Sequence, residues 1–139
     1  MRVLFDTNVV LDVLWARPPH AAAATGLLDL VARKELDGLL AATSITTIFY
    51  LAEKASTTAE ARRHVTTLLD LFDIAAVSRS VLTDALMLRF DDYEDAVLHE
   101  AARHAGATAI VTRDAKGFVG SSLRLYDPAN LLRLLRATS

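Results

Sequence analysis

Short runs of valine, leucine and isoleucine alternate along this chain with longer stretches whose apolar residues recur at helical spacing. A strand that is apolar on both faces must be covered on both, and the intervening helices supply that cover while carrying the chain back to start the next strand in the same direction. The pattern therefore predicts an α/β fold: a three-layer α/β/α sandwich around a central parallel sheet of about five strands. The strands are expected at Arg2 to Phe5, Gly38 to Ala42, Asp73 to Val77, Thr108 to Thr112 and Leu123 to Tyr126. Helices are expected at Ala21 to Arg33, Ile45 to Ala55, Thr58 to Leu71, Val81 to Leu88, Asp92 to Ala105 and Pro128 to Arg136. Pro128 suits a first helical turn, Gly106 the end of a helix, and Asp37-Gly38 a turn.

With 139 residues, 53% of them hydrophobic, the chain has material for one core, and residues 1–139 are read as a single domain. Fifteen Lys plus Arg against 17 Asp plus Glu give a formal net charge of -2, so any contact with nucleic acid must be local. The absence of cysteine excludes disulfides, thiolate zinc sites and cysteine nucleophiles. Met1-Arg2-Val3-Leu4-Phe5 is too short for a signal peptide, and no run of about 18 apolar residues occurs. A soluble protein of the reducing cytoplasm, without a membrane partner, is the expectation.

The acidic residues fall in a telling order. In open α/β sheets, ligands bind beyond the carboxyl ends of the strands, where strand order reverses. Asp6 ends the first strand and Asp114 closely follows the fourth. By analogy with doubly wound sheets, the order 3-2-1-4-5 would make those strands neighbours astride the switch point. Asp91-Asp92-Tyr93-Glu94-Asp95 opens the helix leading into the fourth strand, with Asp92 and Asp95 three apart on one face. Converging carboxylates repel one another unless a cation neutralises them, and a hard divalent ion with oxygen ligands, Mg2+ or Mn2+, is the natural occupant. Such an ion lowers the pKa of a bound water and stabilises charge on phosphate oxygens, which points to phosphoryl transfer.

Each acid also has an ordinary reading. Asp6-Thr7-Asn8 is compatible with a strand-end turn, Asp92 and Asp95 with an N-cap and its N3 partner, and Asp114 with a loop acid beside Arg113 or Lys116. Their joint placement at one sheet edge favours a site. His20, His64, His99 and His104 show no metal-ligand spacing and are expected at the surface or half-buried. Trp15, Phe49, Tyr50 and Phe72 are expected in the core or at a partner interface, with the core favoured.

The segments Val3-Leu4-Phe5-Asp6-Thr7-Asn8, Asp92-Tyr93-Glu94-Asp95-Ala96 and Ile110-Val111-Thr112-Arg113-Asp114 together resemble the PIN-domain family, most of all the small bacterial members that include VapC-type toxins. The resemblance spans nearly the whole chain. It implies that Asp6, Asp95 and Asp114 are catalytic and hold metal, with Asp92 as a companion ligand. It also implies a metal-dependent endoribonuclease of a toxin–antitoxin pair, with an RNA substrate, an antitoxin protein partner and a homodimer. Asn8 and Thr112 would support the ligands through hydrogen bonds. Arg113 and Lys116, with Arg17 and Arg89, would contact phosphates.

Two positions depart from the family pattern. Thr47 stands where an acid is usual on the helix after the second strand, and the nearest acid, Glu53, lies on a different helix face. Gly117 stands where another acid often precedes the phenylalanine, here Phe118. One metal rather than two is a consequence to consider, and a non-cleaving PIN-like module that binds RNA or protein is the alternative function. A haloacid-dehalogenase-like phosphatase would need an acid where Asn8 stands, and a receiver domain a lysine near Leu125-Tyr126-Asp127-Pro128, so both fit worse.

Overall fold

The computed structural model describes residues 1–138. Its elements run β1 (Arg2–Phe5), α1 (Thr7–Leu14), α2 (Ala21–Ala32), β2 (Asp37–Ala41), α3 (Ala42–Ala55), α4 (Thr58–Leu71), β3 (Asp73–Ala75), α5 (Arg79–Leu86), α6 (Tyr93–His104), β4 (Ala109–Val111), a 3-10 turn (Ala115–Phe118), β5 (Arg124–Tyr126) and α7 (Pro128–Ala137). The five strands form one parallel sheet in the order β3-β2-β1-β4-β5, as the analogy with doubly wound sheets anticipated. Side chains alternate across it. Val3, Phe5, Leu40, Ala109 and Val111 join a core with α1, α2, α3, α4 and α7, while Leu4, Leu39, Ala41 and Ile110 join a second core with α5, α6 and Phe118. Both faces are therefore covered, which makes the three-layer sandwich and explains why the strands read as continuous apolar runs. Among the described residues, no helix is long and apolar enough to cross a membrane.

Local chemistry sets the helix ends. Thr57 caps α4 by accepting from the Glu60 amide at 3.1 Å, Ser78 caps α5, and Asp127 caps α7 with Pro128 in the first turn. Gly106, at φ +80°, takes the left-handed conformation that closes α6.

Three expectations change. The segment after Asp6 is helical: Val9, Val10 and Leu11 bury against the core, and this packing outweighs the weak helix propensity of an Asn-Val-Val start. Asp37-Gly38 is not a turn but the beginning of β2, where a Cβ on Gly38 would meet Phe72 at 2.8 Å and Val31 at 2.9 Å, so glycine permits close helix-to-sheet packing. Ala42, expected to end that strand, begins α3 instead.

Candidate functional site at the carboxyl edge of the sheet

The reversal of strand order puts β1 and β4 side by side, so the segments that leave these two strands meet at their carboxyl ends. Asp6 leaves β1 in extended conformation and is buried, with 8% of its surface exposed. The Thr112 hydroxyl donates to Asp6 Oδ2 at 2.7 Å, and the same hydroxyl oxygen accepts from the Asp114 amide at 2.9 Å. One buried threonine thus ties the first-strand acid to the loop that carries the other. Asp114 itself precedes the 3-10 turn, whose Gly117 amide reaches back to the Asp114 carbonyl at 3.1 Å.

The third acid arrives on α6. Asp92 is the N-cap, its Oδ1 accepting from the Glu94 amide at 2.8 Å, and Asp95 follows in the first turn. The capping reading of Asp92 thus holds, while its charge still bears on Asp95. Gly117 shows how closely Asp95 and Asp114 converge: a Cβ there would lie 2.7 Å from Asp95 Oδ2 and 3.3 Å from Asp114 Oδ2. Its φ is not positive, so the glycine is needed for space rather than for conformation. The family-type acid absent at this position would project between those two carboxylates.

Electrostatics carries the strain of this gathering. Asp95 is pushed up to about 7 from its ordinary 3.8, first by burial and then by the charges of Asp6, Asp92, Asp114 and Glu94. Burial likewise raises Asp6, against the hydrogen bonds from Thr112 and the Thr7 amide, with Asp114 and Glu94 adding upward pressure. Glu94, which sequence reasoning left unassigned, belongs to this charge group through its place in the Asp-Tyr-Glu-Asp run.

The fit to a hard divalent ion can be judged from these features. All the donors are carboxylate oxygens, Asp95 and Asp114 both crowd the position that Gly117 leaves without a side chain, and the negative charges of Asp6, Asp92, Asp114 and Glu94 all bear on Asp95. Asn8 Oδ1 is also buried with no hydrogen-bond partner among the described residues. Residues and ion fit.

Other expectations meet a more specific environment. Arg113 does not stand free: its Nε donates to Asp12 Oδ2 at 2.6 Å and a terminal nitrogen to Asp12 Oδ1 at 3.2 Å. Asp12 is completely buried and also accepts from Arg17 Nε at 2.8 Å. An acid inside the apolar run Val9-Val10-Leu11-Asp12-Val13-Leu14 was the available signal, since a buried carboxylate requires cationic partners. Lys116 and Arg89 line a cavity of about 210 Å³ together with Gly117. On α3, the Thr47 hydroxyl donates to the Thr43 carbonyl at 3.1 Å, and exposed Glu53 accepts from Thr58 at 2.8 Å.

The histidines and aromatics also require correction. His99 is fully buried, Nδ1 at 2.7 Å from Glu100 and Nε2 accepting from the Ser122 amide at 3.2 Å. Among the described residues, ligand-type atoms of Asp84, Glu100 and His104 lie within 4.8 Å of one another, yet Arg103 already bridges Asp84 and Glu100 there. Phe72 is core, whereas Trp15 and Tyr50 are exposed, their rings covered in part by Arg17 and Lys54.

Comparison with known proteins agrees with this architecture. No curated relative matches by sequence. Among solved structures, VapBC2 from Rickettsia felis, bound to a DNA fragment from its promoter, is similar with a TM-score of 0.72 at 18% identity, covering 91% of this chain and 98% of the other. A toxin–antitoxin complex from Klebsiella pneumoniae is similar with a TM-score of 0.70 at 21% identity, covering 91% and 97%. VapC20 from Mycobacterium tuberculosis, a sarcin-ricin loop cleaving toxin, is similar with a TM-score of 0.62 at 16% identity, covering 78% and 86%. These identities speak for the fold. The PIN domain model matches residues 2–116, which takes in β1, α6, β4 and all three convergent acids, and the chain belongs to the PIN-domain family.

Proposed function

We propose that this chain is a metal-dependent endoribonuclease, the VapC-like toxin of a toxin–antitoxin pair, hydrolysing RNA phosphodiester bonds. The observation that carries the reading is the convergence of Asp95 and Asp114 on the space left open by Gly117, beside buried Asp6. Asp6, Asp95 and Asp114 would hold Mg2+ or Mn2+, with Asp92 adding charge from the helix cap. When bound, such an ion supplies an activated water and neutralises charge on the phosphate oxygens.

The chain's own residues do the rest. Thr112 donates to Asp6 Oδ2, while its bond to the Asp114 amide fixes the second acid relative to the first. Asn8, whose buried side-chain oxygen has no partner among the described residues, would complete the polar support. Lys116 and Arg89, which line one cavity with Gly117, and Arg113, which lines another, would take RNA phosphates despite the net charge of -2. An antitoxin partner belongs to the same reading, supported by the toxin–antitoxin complexes among similar folds, and a homodimer and a cytoplasmic location go with it as consequences of the family resemblance.

Purified chain incubated with RNA and Mg2+ should leave 5′-phosphate and 3′-hydroxyl ends, because hydrolysis by an activated water needs no attack by the 2′-hydroxyl. Asp6→Asn and chelation should both abolish the products, and Mn2+ titration should bind wild type more tightly than Asp6→Asn. Cyclic phosphate ends, or cleavage that survives chelation, would contradict the mechanism. RNA binding without any cleavage would support the non-cleaving module instead, which the lack of an acid at Thr47 favours.

A further inference from the structure

Among the described residues, Asp12 is the one completely buried carboxylate that the acidic edge does not use, and it is held by two guanidinium groups rather than one. A buried acid needs only a single cation to balance it. The second arginine therefore leaves a net positive charge at this spot, in a chain whose overall charge is negative. The pairing is also directional. Arg113 spends its Nε and one hydrogen of a terminal nitrogen on Asp12, and Arg17 spends its Nε on Asp12 and a terminal nitrogen on the Asn8 carbonyl at 3.3 Å. Three donor hydrogens of Arg113 remain uncommitted.

Arg113 lines a cavity of about 270 Å³ with Pro19, His20, Ala23, Asp127 and Pro128. The cavity is joined to the acidic edge through the backbone: Arg113 precedes Asp114, and the Thr112 amide bonds to the carbonyl of Tyr126, the residue before Asp127. Its chemistry is divided. Arg113 offers a cationic donor and His20 a ring nitrogen, while Pro19, Ala23 and Pro128 offer apolar surface. Asp127, whose oxygens accept from Asn130 at 2.8 Å each in capping α7, keeps its negative charge, so the phosphate end of the cavity is the Arg113 side. The volume of about 270 Å³ sits just under the range of about 300–1,000 Å³ usual for small-molecule sites.

We propose that Asp12 is a positioning residue that fixes the Arg113 guanidinium in this cavity as the phosphate-binding end of a nucleotide subsite, seating the nucleotide next to the bond that Asp6, Asp95 and Asp114 address. This subsite rests on the nuclease reading for its purpose, but its binding is separable from cleavage. The fork matters because a guanidinium pinned in one orientation presents its free donors to a phosphate without first being ordered.

The test uses the full chain and a fluorescein-labelled oligouridylate of about ten nucleotides. Binding is measured in chelator, and the KM and kcat of cleavage are measured with Mn2+. Arg113→Lys keeps the charge but loses the fork, and Ala23→Leu narrows the cavity while leaving Asp12 and both arginines in the chain. Each should weaken binding by about three- to tenfold and raise KM in parallel with kcat little changed, as expected for lost uniform binding. Asp12→Asn should do the same where its thermal melt shows a folded chain; if it does not fold, the other two variants decide. Unchanged Kd and KM in both Arg113→Lys and Ala23→Leu would overturn the subsite even if RNA is cut. Conversely, binding that depends on Arg113 and Ala23 in a chain that never cuts would uphold the subsite and sink the nuclease reading.

Discussion

Two groups of acids sit on α6, and they have opposite electrostatic character. At its start, Asp95 feels the charges of Asp6, Asp92, Asp114 and Glu94, and burial with this repulsion drives it up to about 7. Toward its end, burial would raise Glu100, but hydrogen bonds from Arg103 and His99 outweigh it and hold the carboxyl below its ordinary value. By distance alone the second group is the better ion trap, since Asp84, Glu100 and His104 already converge. It is nevertheless the satisfied one: Arg103 lies 2.9 Å from Glu100 and 3.1 Å from Asp84, and His104 lies 2.7 Å from Asp84. Unmet charge, rather than convergence of ligand atoms, is what marks a place built for something outside the chain.

The sharpest way to break this comparison is by rate. Asp114→Asn should lower RNA cleavage by about a hundredfold or more, the scale on which loss of a preorganised charged group acts. Asp84→Asn should leave cleavage within about twofold, as a surface ion pair contributes little. Initial rates on one RNA substrate measure both, and a collapse of activity in Asp84→Asn with survival in Asp114→Asn would exchange the roles of the two groups.

Stability should respond in the opposite sense. Arg103→Met strands Glu100, only 3% exposed, with His99 as its remaining partner, and should cost about 2–3 kcal/mol in urea unfolding at neutral pH. The metal-dependent rate of the folded variant should be preserved. A cost under about 0.5 kcal/mol would mean that the network holds α5 and α6 together far less than its geometry indicates.

The pH profile separates the groups again, now by sign. Asp95 has a folded pKa above its unfolded value, so in chelator its contribution is fully present below 3.8 and is lost as pH rises through about 7. Glu100 is lowered, so its contribution is present above its ordinary 4.5 and is lost as pH falls through its folded value. Wild type in chelator should therefore gain stability as pH falls from about 8 toward 5, then lose it under more acid conditions. Because Asp95 is partly exposed, solvent screening reduces the gain to roughly 2–5 °C in melting temperature. In Asp95→Asn the neutral-to-acid gain should vanish while the acid-side loss persists.

Legibility in the sequence divides in the same way, between local and distant causes. Asp6, Asp95 and Asp114 were readable because strand ends and helix starts are local features, and strand order then brings them together. Thr58 to Leu71 was bounded correctly because Thr57 and Glu60 form a cap within four residues. Asp12 was only half legible: its partner Arg17 is five residues on, but its other partner Arg113 lies 101 residues away. His99 was misplaced for a similar reason: its burial depends on Ser122 and on Phe90, whose ring centroid is 5.4 Å away. Helix α1 was missed because tertiary burial, not propensity, holds its eight residues.

Gly117 offers the smallest and most local test of the acidic edge. The position looked like a missing acid in the sequence, but in the structure it is the space that two carboxylates share. Gly117→Ala adds one methyl group 2.7 Å from Asp95 Oδ2, closer than real contacts allow, so something must move. The encroached atom is the end of an Asp side chain rather than backbone, and the glycine φ is one that alanine can adopt. Folding should therefore be little affected, with a melting temperature within about 2 °C of wild type. The carboxylate, however, must turn away from Asp114, and an ion held between the two loses part of its coordination. Mn2+ affinity should fall by about three- to tenfold, less than for Asp6→Asn, because no ligand is removed and only its direction changes. Calorimetric titration of Gly117→Ala beside wild type supplies the number. Full affinity in a folded variant would show that Asp95 and Asp114 do not share an ion across this gap, and the site would have to be drawn around Asp6 and Asp95 alone.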